Sequence, residues 1–439
     1  MRAVLAFLFA IVSAPAWAAA PVSLDIGNKV QVWFQENHTV PMVAVTVALP
    51  AGSAYDPLHK EGLASFAAAM LDEGAGTLRS DAYHQALANK AIMLSVAPDR
   101  DYLVISLYTL KDNLKDAMNL LALALAKPRM DPDAVTRVRG QIVQSLLQNG
   151  EDPETQASNR FFQLFFGAHP YAHPTDGTIE GVSAITPRDL KLFTGTHWVK
   201  GGAKVTVAGD VDAKTLAPLL KSVFDPLADH EPPLPSLVKK FGGPAMASVA
   251  MAVPQSVIVF GLAGIRRADP DYLAGYVANH IVGNGDFSAR LTNEVREKRG
   301  LTYSISTSFG DFREAGYIVG DVATKNGSVA ETIGLIRSVL ADYAANGPTA
   351  AELSDAKTYL TGSFPLAFAS NVGIATQLNA FQRDGLPIGY VARRNSLVEA
   401  LTLDDVKRAA KRLFDPSHIV VVVAGPPNSG KPRGKPARS

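Results

Sequence analysis

The sequence predicts an α+β protein of two homologous domains, each a mostly antiparallel sheet packed with helices. Its 439 residues, 47% of them apolar, are too many for one ordinary core and suit two. A Pro- and charge-rich stretch, Asp225-Pro-Leu-Ala-Asp-His-Glu-Pro-Pro-Leu-Pro-Ser236, divides the chain near its middle. On either side of it the same order recurs: strands, a helix, further strands and then long grouped helices. That grouping belongs to α+β layers rather than to a doubly wound sheet.

Residues 1–18 read as a signal peptide. Arg2 supplies the positive start, 4–12 an apolar core too short for a membrane span of ~20 residues, and Ala16-Trp-Ala18 a cleavage site. The expectation is export as a soluble protein without stable membrane insertion, to the periplasm in a Gram-negative-like setting. The first domain, 19–224, offers strands at 40–49, 92–96 and 102–108, a helix at 62–71, and longer helices at 114–125 and 132–148. A linker at 225–243 follows. The second domain, 244–426, offers strands at 256–262, 302–309 and 314–322 and helices at 272–282, 328–345 and 350–362. Residues 427–439, basic and rich in Pro and Gly, read as a disordered tail.

A weak internal repeat supports duplication. Ile185-Thr-Pro-Arg-Asp-Leu-Lys leads through a helix to the strand ending Ala208-Gly209, and Leu401-Thr-Leu-Asp-Asp-Val-Lys leads likewise to Ala424-Gly425. The two align without a gap, matching Thr186 with Thr402 and Asp189 with Asp405. In each, a threonine caps a helix that an apolar strand follows.

Composition removes several functions. The chain has no cysteine, which excludes disulfides, thiol catalysis and Cys-based zinc sites. A net charge of +1 gives no bulk reason to expect nucleic acid as partner. Gly425-Pro-Pro-Asn-Ser-Gly-Lys431 mimics part of a phosphate loop, but Pro432 stands where Ser or Thr is needed and no helix can follow. His169-Pro-Tyr-Ala-His173 has the spacing of a helical metal pair, yet its prolines forbid a regular helix; a loop pair with local hydrogen bonds fits better. Asp72-Glu73, at a helix end, reads as solvated.

Leu291-Thr-Asn-Glu-Val-Arg-Glu-Lys-Arg-Gly-Leu-Thr-Tyr303 carries the most chemistry. Leu291 and Val295 share an apolar helix face, Gly300 suits the left-handed residue that ends a helix, and a strand is expected through Leu301, Tyr303 and Ile305. Arg296, one turn before the helix end, and Tyr303, just past the reversal, are placed to converge on one ligand. A guanidinium fork and a phenolic donor suit peptide carbonyls or a developing oxyanion. Taken locally, a surface arginine beside a half-buried strand tyrosine is the plainer reading.

Together these pieces resemble the inverzincin family of zinc peptidases (pitrilysin or insulinase type) over essentially the whole mature chain. Gly52-Ser-Ala-Tyr-Asp56, the helix from Gly62 to Thr77, Phe165-Phe-Gly-Ala-His-Pro-Tyr171 and Val207-Ala-Gly-Asp210 look like family landmarks. The segment from Leu291 to Tyr303 is similar to the one that carries the family's Arg and Tyr. Active members have H-x-x-E-H on the first-domain helix, where two His bind zinc and the Glu activates water. Here Ser65, Ala68 and Ala69 occupy those positions, and Gln144, Ser145 and Leu146 fill the region where a third ligand, a Glu, is expected. Neither Ser nor Ala holds Zn²⁺.

The resemblance therefore implies a chain without metal, inactive alone. Its place would be in a heterodimer with a homologous H-x-x-E-H subunit that holds the zinc. Arg296 would bind a carbonyl of the peptide substrate and Tyr303 would stabilise the oxyanion. Gly283 and Gly285 resemble the family's glycine-bearing loop, which lets backbone approach a peptide, although helix termination accounts for them equally. The alternative is a non-catalytic peptide-binding or scaffolding protein of the same fold.

Overall fold

The computed structural model describes residues 20–427. The expected signal peptide, the tail beyond 427 and the end of the phosphate-loop mimic lie outside the described residues. Two sheets dominate. The first runs β1 (Val22–Leu24), β2 (Gln31–Glu36), β8 (Lys204–Gly209), β3 (Met42–Leu49), β7 (Leu103–Leu110), β6 (Met93–Pro98). The numbers β4 and β5 belong to a small hairpin, Gly74–Ala75 with Leu78–Arg79. The second sheet runs β9 (Ala245–Ala250), β13 (Val420–Gly425), β10 (Gln255–Ala263), β12 (Ala315–Lys325), β11 (Ile305–Phe312).

The repeat in sequence is a repeat in topology. In the first sheet β8 lies parallel to β2 and antiparallel to β3, with Val45 opposite Val207. In the second, β13 lies parallel to β9 and antiparallel to β10, with Ile258 opposite Val423. Both repeated threonines head capping boxes: Thr186 exchanges bonds with Asp189, and Thr402 with Asp405. Each box satisfies two amides at a helix start that would otherwise lack partners.

The central strands are apolar on both faces. Val43, Val45, Val47 and Leu49 point into the first domain's own helices, as do Ile258, Phe260, Val421 and Val423 in the second. The alternate residues (Trp33, Ala44 and Ala208 in one sheet, Val259, Val420, Val422 and Ala424 in the other) are also buried. An uninterrupted run such as Val420-Val-Val-Val-Ala424 is what burial on two sides demands.

Each half covers the other's outer face. Helix Pro153–Phe166 of the first half lies on the second sheet through Ala157, Phe161, Phe162, Phe165 and Phe166. Helix Asn371–Arg383 of the second half lies on the first sheet through Ile374, Ala375, Leu378 and Phe381. Polar side chains set the second helix's register. Asn371 donates to Met42 O (2.9 Å), Asn379 to Lys204 O (3.2 Å) and Gln382 to Gln31 O (2.8 Å), while Thr206 donates to Ala375 O (2.7 Å). Burying one phenylalanine contributes ~1.5–3 kcal/mol, so the aromatic helix contributes several times that.

The connection between halves runs from 225 to 244 without helix or strand, and it is tied along its length. His169 Nδ1 accepts from Tyr171 N (3.1 Å), which leaves Nε2 to donate to Ser236 O (2.6 Å). Gly242 N donates to Phe165 O (2.8 Å). The stretch around His169 is a short 3-10 turn, Pro170–Ala172. At the seam the Tyr171 hydroxyl donates to Asp101 (2.5 Å) and accepts from Glu314 N (3.2 Å).

Arg290 ties the loop-rich edge of the second domain to its long helices. Its fork donates to both Glu352 oxygens (2.6 and 2.8 Å) and to Gly347 O (3.0 Å), and its plane lies over the Tyr343 ring at 4.9 Å. Bidentate pairs of this kind are the stronger ones. The bonds from Arg290 hold the Glu352 carboxyl down at about 2, against burial.

Phe165→Ala is expected to destabilise the chain by ~3–5 kcal/mol, as large-to-small changes at buried aromatic sites do. A denaturation midpoint checks it, and probes in the two halves are expected to shift together. Glu352 has a folded pKa below its unfolded value, so its contribution is fully present above about pH 4.5 and is lost as pH falls toward about 2. Glu352→Gln is expected to lower Tm at pH 7 and to flatten the fall of Tm over that acid window.

Candidate functional site

The helix that carries Ser65, Ala68 and Ala69 is short, Leu63–Ala69, and begins at Gly62 with φ +102°. Asp56 organises its start by accepting from Gly62 N and Ala64 N, both at 2.7 Å. Burial pushes the Asp56 carboxyl up to about 7 while those amides oppose the rise. The Ser65 hydroxyl is spent on Thr175 O at 2.7 Å. Ala68 is buried in the core and Ala69 is exposed. Gln144, Ser145 and Leu146 lie on helix Pro132–Glu151. No imidazole or carboxylate stands at these positions, so the residues present do not fit zinc.

Nearby, oxygens of Asp72 and Glu73 and a ring nitrogen of His84 gather within 4.8 Å. Glu73 departs from the solvated reading: it is buried. Burial works to raise its pKa, but bonds from Arg137 and from Ser80 (2.6 Å) outweigh this and hold the carboxyl below its usual range. A carboxylate so engaged is a structural anchor for helix Pro132–Glu151.

In the second domain, Leu291 and Val295 are buried as their spacing predicts, but the turn they share is a wide one. Thr292–Glu297 is π-helical, with Lys298 N donating to Asn293 O at 3.0 Å. Gly300, at φ +59°, ends it; its N–H donates to Arg296 O (2.8 Å) and that of Leu301 to Val295 O (3.1 Å). The expected strand through Leu301 and Tyr303 is not formed there. Pairing starts at Ile305, opposite Val322. The reason is local: the Thr302 hydroxyl donates to Ser304 O (2.7 Å) and accepts from Ser304 N (3.2 Å), bonds that compete with a ladder. Tyr303 is therefore on a loop and is 85% exposed rather than half-buried.

Charge on this segment is unevenly spent. Glu294 takes both Lys298 (2.5 Å) and Arg299 (2.7 Å). Arg296 has only a 3.4 Å ion pair with its neighbour Glu297 among the described residues, and its guanidinium lies 4.4 Å from the centre of the Phe287 ring. Arg296 and Tyr303 do not touch one another among the described residues.

Gly283 and Gly285 stand where a second π-helical turn, His280–Asn284, meets the next short turn, Asp286–Ser288. Gly283 is buried, and a Cβ there would come within 2.2 Å of Thr307 Oγ1 on β11. Its smallness serves this close helix-to-strand contact, which Asn279 secures by donating to Thr307 O (3.1 Å) and accepting from its hydroxyl (2.8 Å). At Gly285 a Cβ would lie 2.9 Å from His280 O and from Ser288 Oγ. Both glycines thus seat the loop that presents Phe287. Sequence reasoning passed over Phe287 and Arg290; the available signal for the first was an apolar ring inside Gly-Asn-Gly-Asp-Phe-Ser, where a solvated turn has no use for one.

The comparisons agree over both halves. Residues 31–178 match the model described as insulinase (peptidase family M16), and residues 184–360 match the peptidase M16 inactive domain. A Helicobacter pylori protein named non-peptidase homolog YmxG is 27% identical, covering 86% of this chain and 88% of its own length. An uncharacterized zinc protease of Mycobacterium leprae is 26% identical, covering 89% and 88%. Among solved structures, a peptidase M16 inactive domain from Pseudomonas fluorescens superposes with TM-score 0.88 at 30% identity, covering 94% of this chain and 98% of that one. A protease from Helicobacter pylori shares the fold, with TM-score 0.83 at 18% identity, covering 92% and 99%. The chain belongs to the insulinase-type M16 peptidase family, as a member without the metal-binding side chains of the first-domain helix.

Proposed function

We propose that this chain is the non-metal subunit of a heterodimeric zinc peptidase, exported to the periplasm, and that it supplies Arg296 and Tyr303 in trans to a homologous H-x-x-E-H partner. One contrast carries the reading: the metal helix has Ser65, Ala68 and Ala69 in place of ligands, while Tyr303 is exposed and half-exposed Arg296 meets only Glu297, through Nε at 3.4 Å, among the described residues. In this role the Arg296 fork holds a backbone carbonyl beside the scissile bond of a peptide. The Tyr303 hydroxyl donates to the oxyanion as it forms, a contribution of ~3 kcal/mol for a well-placed donor. Zinc and the water it activates belong to the partner. The non-peptidase name of the Helicobacter pylori relative supports a chain that does not hydrolyse alone. Among the described residues no helix is long and apolar enough to cross a membrane.

A second reading, a peptide-binding or scaffolding protein that never hydrolyses, draws on the lack of contact between Arg296 and Tyr303. The two are separated by assembly with an H-x-x-E-H chain. In that complex Arg296→Ala or Tyr303→Phe is expected to lower peptide turnover by about 10²–10³-fold, with assembly unchanged. Full turnover by either variant would remove its residue from the chemistry. Equilibrium dialysis of the isolated chain is expected to give no stoichiometric Zn²⁺; bound zinc accompanied by hydrolysis in this chain alone would overturn the account.

A further inference from the structure

We infer that Phe287 is a positioning residue, a platform that holds the Arg296 guanidinium ready for a peptide carbonyl. The inference rests on the function proposed above for Arg296, and it deepens that reading by naming the group that acts through it.

Phe287 is 64% exposed and belongs to no hydrophobic cluster among the described residues. A large apolar ring left in water at a turn contributes nothing to folding by burial. What it has is Arg296, whose guanidinium carbon lies 4.4 Å from the ring centre. That is inside the range where a ring face attracts a cation. The turn that carries the ring is held tightly. Ser288 Oγ donates to Gly285 O (2.6 Å), Ser288 N to the same oxygen (2.9 Å), and Ala289 N to Asp286 O (3.3 Å). Asp286 sits at φ +47°, a left-handed conformation that Asp tolerates better than most residues. On the opposite side, Ala289 is fully buried and Arg290 is clamped by Glu352. The backbone that carries the ring is therefore held on both sides.

Arg296 needs such a platform. A free arginine side chain holds several rotatable bonds, and fixing it against a carbonyl costs entropy at the moment of binding. An ion pair would fix it too, but at the expense of the donors that the carbonyl needs. Glu294 is occupied by Lys298 and Arg299, and Glu297 meets Arg296 only at Nε, at 3.4 Å, which leaves the two terminal nitrogens for the carbonyl. A ring face restrains the guanidinium plane and leaves its in-plane N–H groups directed outward. The stack thus restricts the side chain without consuming its hydrogen-bond donors.

The test has two parts. In the isolated chain, with arginine labelled for NMR, Arg296 side-chain protons are expected to show upfield ring-current shifts that vanish in Phe287→Leu and persist in Phe287→Tyr. In the complex with an H-x-x-E-H partner, assayed on an internally quenched peptide mixture, Phe287→Leu is expected to lower kcat/KM by roughly three- to tenfold. Phe287→Tyr is expected to restore it. Shifts absent from the unsubstituted chain overturn the platform directly. A Phe287→Leu complex with unchanged kcat/KM, beside a crippled Arg296→Ala complex, overturns the role of Phe287 alone. If Arg296→Ala is equally silent, the reading of Arg296 falls and the positioning role with it, even where the shifts are seen.

Discussion

Both sheets of this chain are apolar on two faces, and neither half has enough helices of its own to cover both. That shortage governs the architecture. The first half lends a phenylalanine-rich helix to the second sheet, and the second half returns a helix with buried amides to the first. The two loans use different chemistry for one purpose. Aromatic rings fill space against valines without dictating register, whereas Asn371, Asn379 and Gln382 each donate to a particular carbonyl and so fix where their helix lies. An amide buried in that position costs free energy unless its bond is made, which makes the correct docking far better than its neighbours.

The candidate site depends on the same economy of local fixing. The segment from Leu291 to Gly300 hangs from buried Leu291, Thr292 and Val295 and follows directly on the clamped Arg290; its own turn, Thr292–Glu297, and the turn His280–Asn284 before it are π-helical. Wide turns of this kind recur at functional sites, where they displace side chains from the positions an α-helix would give them. In the first domain the helix with Ser65 offers a hydroxyl bonded to a carbonyl, one buried alanine and one exposed alanine.

Much of this was legible in the sequence, and the limits of what was legible have physical causes. Strands such as 42–49 and 420–425 declare themselves by unbroken apolar runs, and the threonine-led repeats announced two equivalent helix starts. The exchange of helices was not legible. Phe161, Phe162, Phe165 and Phe166 mark an apolar helix face but carry no indication of which sheet receives it. Asn379 and Gln382 drew no notice in the sequence, because a buried amide is recognisable only once its carbonyl partner is in place. Tyr303 was placed on a strand by alternation, and one threonine hydroxyl bonding to Ser304 was enough to move it to a loop. The loss of zinc ligands, by contrast, needed no structure, since it turns on which atoms the side chains possess.

The reciprocal helices also have a mechanical meaning. Two domains joined by a linker can rock about it, and many enzymes admit substrate in that way. In this chain the linker is the lesser bond. Rotating one half against the other would drag each borrowed helix off a sheet and strand its aromatic or amide groups in water. The two halves are thus braced against such rotation, and in the assembly proposed above an opening that admits a peptide would come at the boundary with the partner.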